Sequence, residues 1–213
     1  MSTADVTRIK EVFAAADAAR APLHLVHENL GGRGINLFIG NKHAASTPET
    51  LAEHGIGMVF NCAVNLDINM VTQPDSSSRA LPFGWGPVRY YKLGIVDGPG
   101  NPAPMILAGY YQLKGAIDQV LPQKASYPWE DRGHVLIHCR GGRSRSVTLA
   151  ALFLHLECPD QYPTIETAVD HIRVARELQK EEWPQAPKEV LVDAARWAAD
   201  MVQMIAPHTP KTL

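Results

Sequence analysis

Apolar and polar positions along this chain fall into short blocks whose period switches between strand-like and helical. Over residues 4 to 20, Val6, Ile9, Val12 and Phe13 sit at helical spacing, which predicts a short amphipathic helix packed on a domain surface. Gly31-Gly32-Arg33-Gly34 reads as a turn, and Ile35 to Ile39 as a strand ending at Gly40. Thr47-Pro48 is a helix-start signal, a threonine N-cap followed by proline at the first helical position, and Gly55 ends that helix. Ile56 to Cys62 predicts a buried strand, because Met58-Val59-Phe60 form an apolar run bounded by Gly55 and Asn61.

From Asn65 to Pro87 the periodicity dissolves into polar and turn residues, including Pro74-Asp75-Ser76-Ser77-Ser78 and Phe83-Gly84-Trp85-Gly86-Pro87. A loop of that length inside a compact domain is usually functional or disordered. Val88 to Val96 returns to strand character, Asp97 to Pro102 forms a Gly/Pro-rich loop, and Met105 to Leu121 predicts a helix. A polar segment from Pro122 to Gly133 leads into the strand Val135-Leu136-Ile137. Val147 to Leu156 is apolar nearly all round, as a central buried helix is. Thr164 caps a helix predicted to reach Lys180, and Pro187 starts a last one running to Ile205. Strands alternating with helices indicate an α/β layered domain.

Composition narrows the function classes. The 213 residues are 46% hydrophobic and 20% charged with a formal net charge of −2, enough for one well-buried domain and without whole-molecule attraction to nucleic acid or anionic membrane. Selectivity for an anionic partner must therefore be local. Three scattered cysteines, Cys62, Cys139 and Cys158, fit neither a disulfide framework nor a four-cysteine zinc site, which favours a reducing compartment. The first residues lack the basic start and apolar run of a secretion signal, and no apolar stretch approaches the roughly 20 residues that span a bilayer. The expectation is a cytoplasmic protein without stable membrane insertion, nucleic-acid partner, metal or cofactor.

The chemistry concentrates in His138-Cys139-Arg140-Gly141-Gly142-Arg143-Ser144-Arg145-Ser146. A cysteine and an arginine separated by five residues recur by chance, but here a buried strand delivers Cys139 to a glycine-bearing turn and a buried helix follows Arg145. That layout points successive backbone N–H groups into one concavity at a helix N-terminus, an anion site. Amide dipoles and Arg145 would hold the Cys139 thiol ionised near neutral pH, and a thiolate is a strong nucleophile toward phosphorus. Arg145 offers a planar fork to two phosphate oxygens, which lysine does not match. The loop from Arg140 to Arg145 supplies the phosphate-binding groups, Ser146 a hydrogen bond to the sulfur, and His138 an orienting contact rather than a base.

Such a mechanism needs an acid on a separate, mobile loop. Asp97, directly after a strand and within a Gly/Pro-rich segment, is the first candidate and Asp75 the second. Asp118 lies inside a helix and Asp131 stands too near a strand entry.

With these residues in place the chain resembles the dual-specificity protein phosphatases of the cysteine-dependent protein-tyrosine-phosphatase superfamily. The likeness runs over roughly residues 35 to 197: Asn36-Leu37-Phe38-Ile39-Gly40, Leu51 to Asn61, Tyr91 to Asp97, Gly142 to Ser146 and Thr164 to Ala168. It implies a central, mostly parallel sheet flanked by helices on both sides, a phosphocysteine intermediate and no metal. The predicted organisation is an N-terminal helical extension over 1–30, a catalytic domain over 31–206 and a tail over 207–213. Asp97 precedes Cys139 by 42 positions, longer than is usual in the family, and the 122–133 segment absorbs the excess. The resemblance also implies a possible redox partner for Cys139 in Cys62, as in phosphoinositide-type relatives; Cys62 as a buried core residue is the plainer alternative. Cys158 suggests nothing catalytic. For the substrate, the first reading is a phosphorylated protein, phosphotyrosine included. The second is a polyphosphorylated small molecule such as a phosphoinositide or inositol phosphate, for which Arg143 is the discriminating residue. The third is a phosphate-binding module without catalysis, against which the joint presence of Cys139, Arg145 and Asp97 argues.

Overall fold

The computed structural model describes residues 19–74, 81–129 and 131–208, together with Ala16. The helix expected over 4–20 lies almost wholly outside the described residues, as does Asp75. Five strands make the central sheet in the order β1 (Leu23–His27), β2 (Leu37–Gly40), β7 (His134–His138), β3 (Ile56–Ala63) and β6 (Arg89–Ile95). All neighbours pair in parallel except β1, which runs antiparallel along the edge of β2. Two short strands, β4 (Gln73–Pro74) and β5 (Gly84–Trp85), form a separate antiparallel pair inside the 65–87 segment.

Strand periodicity of two divides the core between the sheet faces. Leu37, Ile39, Met58, Phe60, Val135 and Ile137 point to one face, packed against α3 (Pro104–Asp118), α4 (Arg145–Glu157), α5 (Ile165–Ala175) and α6 (Glu189–Ile205). Phe38, Val59 and Leu136 point to the other, covered by Ala44, Ala45 and Leu51 of α1 (Lys42–Ser46) and α2 (Pro48–Glu53). The chain is thus an α/β protein with a mostly parallel sheet between two helical layers. Helix α4 lies at its centre, buried from Arg145 through Leu154. Each fully buried leucine or phenylalanine there contributes about 1.5–3 kcal/mol of transfer free energy. No helix among the described residues is long and apolar enough to cross a membrane.

Four features differ from the sequence reading. Strand β1 carries the sheet back to residue 23, inside the stretch expected to be a helical extension. Helix α1 was not foreseen; Asn41 caps it, accepting from the backbone N–H groups of His43 and Ala44 at 2.9 and 3.1 Å. Thr47 does not cap α2 with its side chain, because its hydroxyl donates back to the His43 carbonyl at 2.7 Å and closes α1 instead. Helix α5 ends at Ala175 rather than Lys180, since Glu177 takes φ +57° and closes the helix in a left-handed turn, with the Leu178 N–H donating to the Arg173 carbonyl at 2.9 Å.

Candidate active site

The carboxyl ends of the parallel strands gather the candidate residues. Cys139 follows β7, Asp97 follows β6, Asn65 follows β3 and Asn41 follows β2. This edge is where ligands bind in open α/β sheets. Asp131 precedes β7 at the opposite end and only closes a turn with the Gly133 N–H, while Asp118 pairs with Arg33 and Lys114 on α3.

From Arg140 to Ser144 the chain wraps over the start of α4 at very close range to β2. Gly142 adopts φ +69°, and a Cβ there would stand 2.5 Å from the Gly40 carbonyl oxygen, so backbone shape and space both demand glycine. The Cys139 Sγ lies 3.3 Å from the Ser146 hydroxyl. Burial pushes the Cys139 thiol up, but Arg145, the Ser146 hydroxyl and the backbone N–H groups of Ser146 and Arg143 outweigh it and hold the thiol below its ordinary value. Next to it, His138 is fully buried and its Nδ1 lies 3.3 Å from the Cys139 carbonyl oxygen. Burial lowers this imidazole to about 4, so it is neutral near pH 7 and leaves proton donation to another group.

Arg145 is held by one edge of its guanidinium. Nη1 donates to Asn65 Oδ1 at 3.1 Å and to the Ile95 carbonyl at 3.4 Å. Its Nε is buried and has no hydrogen-bond partner among the described residues. A buried, unsatisfied N–H on a charged group is costly, and at an anion nest it marks where an acceptor oxygen of a ligand belongs.

Two residues that the sequence reading did not single out brace the loop from behind. Arg176, 1% exposed, donates from Nε to the Gly142 carbonyl at 3.3 Å and from Nη2 to the Gly141 carbonyl at 3.5 Å. Holding those carbonyls back suits an anion nest, in which the N–H groups must be free to face a ligand. Its Nη1 donates to the Ala21 carbonyl at 2.5 Å and also meets His24 Nδ1 on β1. Burial first, then Arg176, keep His24 below its ordinary value, so its ring accepts this contact in neutral form. Glu182, 1% exposed, accepts from Arg143 at 3.0 Å, pairs with Arg20 and accepts the Gln179 N–H at 2.9 Å. Arg143 thus shares one buried carboxylate with Arg20, two guanidinium groups on a single anion, and its Nη1 is engaged by the fold. Arg140 is exposed. The sequence does hold a signal for Arg176: it continues the buried positions Ile165, Ala168, Val169 and Ile172 by one more helical turn, and a charge on an apolar stripe must find partners inside. Replacing Arg176 by methionine is expected to lower stability by about 2–4 kcal/mol and to weaken phosphate inhibition. Urea unfolding and a phosphate inhibition constant measured together check this; if neither moves, the bracing role is wrong.

Asp97 is exposed on the neighbouring loop. The loop that carries it is hydrogen-bonded within itself and to the residue that opens α6. Asn101 accepts the Val96 N–H at 2.8 Å and donates to the carbonyls of Val96 and Gly98, each at 2.9 Å. Lys188 donates from Nζ to the Asp97 carbonyl at 2.8 Å. Cys62 is fully buried on β3, one position beyond the last β3–β7 register pair, Asn61 with His138. Burial, then the neighbouring Cys139, push its thiol well above the ordinary value, and both thiols are free.

No family model matches this sequence, and no curated protein sequence matches it. Solved structures do. Human DUSP28 superposes with TM-score 0.56 at 16% identity, over 86% of this chain and 96% of that one. The Yvh1 phosphatase domain from Chaetomium thermophilum gives TM-score 0.58 at 16% identity, over 88% and 99%. The fold is that of the dual-specificity phosphatases. A complex of PTPMT1 with PI(5)P also superposes, with TM-score 0.51 at 15% identity over 87% and 99%. At these identities the dual-specificity-phosphatase likeness describes the architecture, and the case for chemistry rests on this chain's own residues.

Proposed function

We propose that this protein is a phosphomonoester hydrolase that works through a phosphocysteine on Cys139, acting on phosphoproteins as a tyrosine or dual-specificity phosphatase. One observation carries the reading: a thiol held below its ordinary value lies beside an arginine whose buried Nε lacks an acceptor. A module that only bound phosphate would need neither an activated sulfur nor an acid.

In the first step the Cys139 thiolate attacks phosphorus, the S–P bond forms, and the bond to the leaving oxygen breaks as the Asp97 carboxyl gives that oxygen its proton. Arg145 and the loop N–H groups hold the equatorial oxygens. In the second step the Asp97 carboxylate takes a proton from water. Water oxygen bonds to phosphorus, the S–P bond breaks, and Ser146 donates a hydrogen bond to the departing thiolate. Inorganic phosphate leaves and the site returns to its starting state. Glu182 engages the Arg143 Nη1, which leaves less of that guanidinium for a second phosphate and supports the phosphoprotein reading. Rapid acid quench during turnover of a phosphotyrosine peptide is expected to yield a phosphorylated Cys139 peptide by mass spectrometry. Turnover without any such species would overturn the covalent mechanism. A phosphoinositide turned over in preference to the peptide would overturn the substrate reading.

A further inference from the structure

The loop carrying Asp97 and the loop carrying Cys139 meet at one residue of a third element. Lys188, the N-cap of α6, donates its backbone N–H toward Ser144 Oγ at 3.4 Å and its Nζ to the Asp97 carbonyl at 2.8 Å. We propose that Lys188 is the positioning residue that sets the proton donor against the nucleophile, so that the acid loop is preset and does not have to close over each substrate. This rests on the assignment of Asp97 as the acid.

Several features converge on that role. An ammonium donating to a carbonyl makes a charge-assisted bond, shorter and stronger than a neutral one. The lysine stem runs along Gly98, where an added Cβ would stand 3.6 Å from Nζ and 3.8 Å from Cδ, and where φ +142° suits glycine. On its other flank the loop is bracketed by the three Asn101 bonds, all within the loop, and Lys188 ties it to α6. That tie has a firm base. Helix α6 runs 17 residues from Glu189 and buries Leu191, Val192, Ala195, Ala198, Ala199 and Val202. Ser144, at the other end of the tie, opens α4 and accepts through its own carbonyl from Thr148. The Lys188 ammonium is engaged with a backbone carbonyl, so it acts on the reaction through Asp97. Preset geometry of this kind removes a reorganisation step from the barrier.

The test uses two substrates that differ in their need for an acid. p-Nitrophenyl phosphate releases a phenolate stable without a proton, whereas phenyl phosphate does not. Lys188→Met is expected to lower kcat for phenyl phosphate about ten-fold while p-nitrophenyl phosphate changes by less than about two-fold. Lys188→Arg, which keeps a cationic donor of similar reach, is expected to restore most of the difference. Lys188→Gln, which removes the ammonium and shortens the reach while keeping a polar stem, should reproduce the leaving-group effect if Lys188→Met folds poorly. Equal losses on both substrates, or an unchanged ratio, would overturn the positioning role. Asp97→Asn run alongside separates the two claims: if it too shows no leaving-group dependence, the acid has been misassigned, whereas dependence in Asp97→Asn without it in Lys188→Met refutes only Lys188.

Discussion

Cys139→Ser is expected to lower kcat for p-nitrophenyl phosphate by at least about four orders of magnitude, the scale on which removal of a covalent nucleophile acts. A serine hydroxyl at this position fills nearly the same volume, so the comparison isolates chemistry from packing. What it lacks is ionisation. The groups that hold the thiol below its ordinary value are Arg145, the Ser146 hydroxyl at 3.3 Å and two loop N–H groups. They shift a group that already ionises within reach of neutral pH, and a hydroxyl starts far above that range. The variant should still bind inorganic phosphate, because the N–H groups and Arg145 remain. Its unfolding midpoint should also stay near the parent's. Parent-like rates in Cys139→Ser would defeat the catalytic reading; loss of rate together with loss of folding would require the phosphate-binding measurement to decide between them.

Arg145→Lys is expected to cost about 10²–10³ in kcat/KM, although the charge is kept. One edge of the guanidinium is committed to Asn65 Oδ1 and the Ile95 carbonyl, and the Nε that remains is buried without an acceptor. A planar group can serve two directions at once, so Nη1 can stay on its protein partners while the other guanidinium donors remain for a phosphate. An ammonium is a single point from which three donors radiate, so it satisfies either the Asn65 anchor or the phosphate with good geometry. Steady-state kinetics with p-nitrophenyl phosphate and an inhibition constant for phosphate distinguish the two losses. A lysine variant within ten-fold of the parent would show that charge alone suffices here.

The sequence was most legible where a single local rule decides the outcome. Strands β2, β3 and β7 are apolar runs cut by glycine or asparagine, and α4 is apolar on every side because it lies between the sheet and other helices. The strand-loop-helix layout around Cys139 was readable for the same reason, its residues being contiguous. Strand β1 was not, because histidines at 24 and 27 break the apolar alternation expected of an edge strand. Helix α1 has five residues and depends on one Asn41 cap, too little for any periodicity to show. Arg176, Glu182 and Lys188 escaped notice because their partners lie far away in sequence: Gly141 and Gly142 for the first, Arg20 and Arg143 for the second, Asp97 for the third. Only the folded chain brings such pairs together.

The bracing of the loop by Arg176 and Glu182 bears on where the smallest active fragment begins. Their contacts reach Arg20, Ala21 and His24, all upstream of the first strand that the family resemblance assigns. A fragment cut at residue 31 would remove Arg20 from Glu182, and Ala21 and His24 from Arg176, leaving two buried charges with fewer partners behind the Cys139 loop. Expression boundaries for this protein therefore belong before Arg20, because a start at the first parallel strand would discard contacts that support the Cys139 loop.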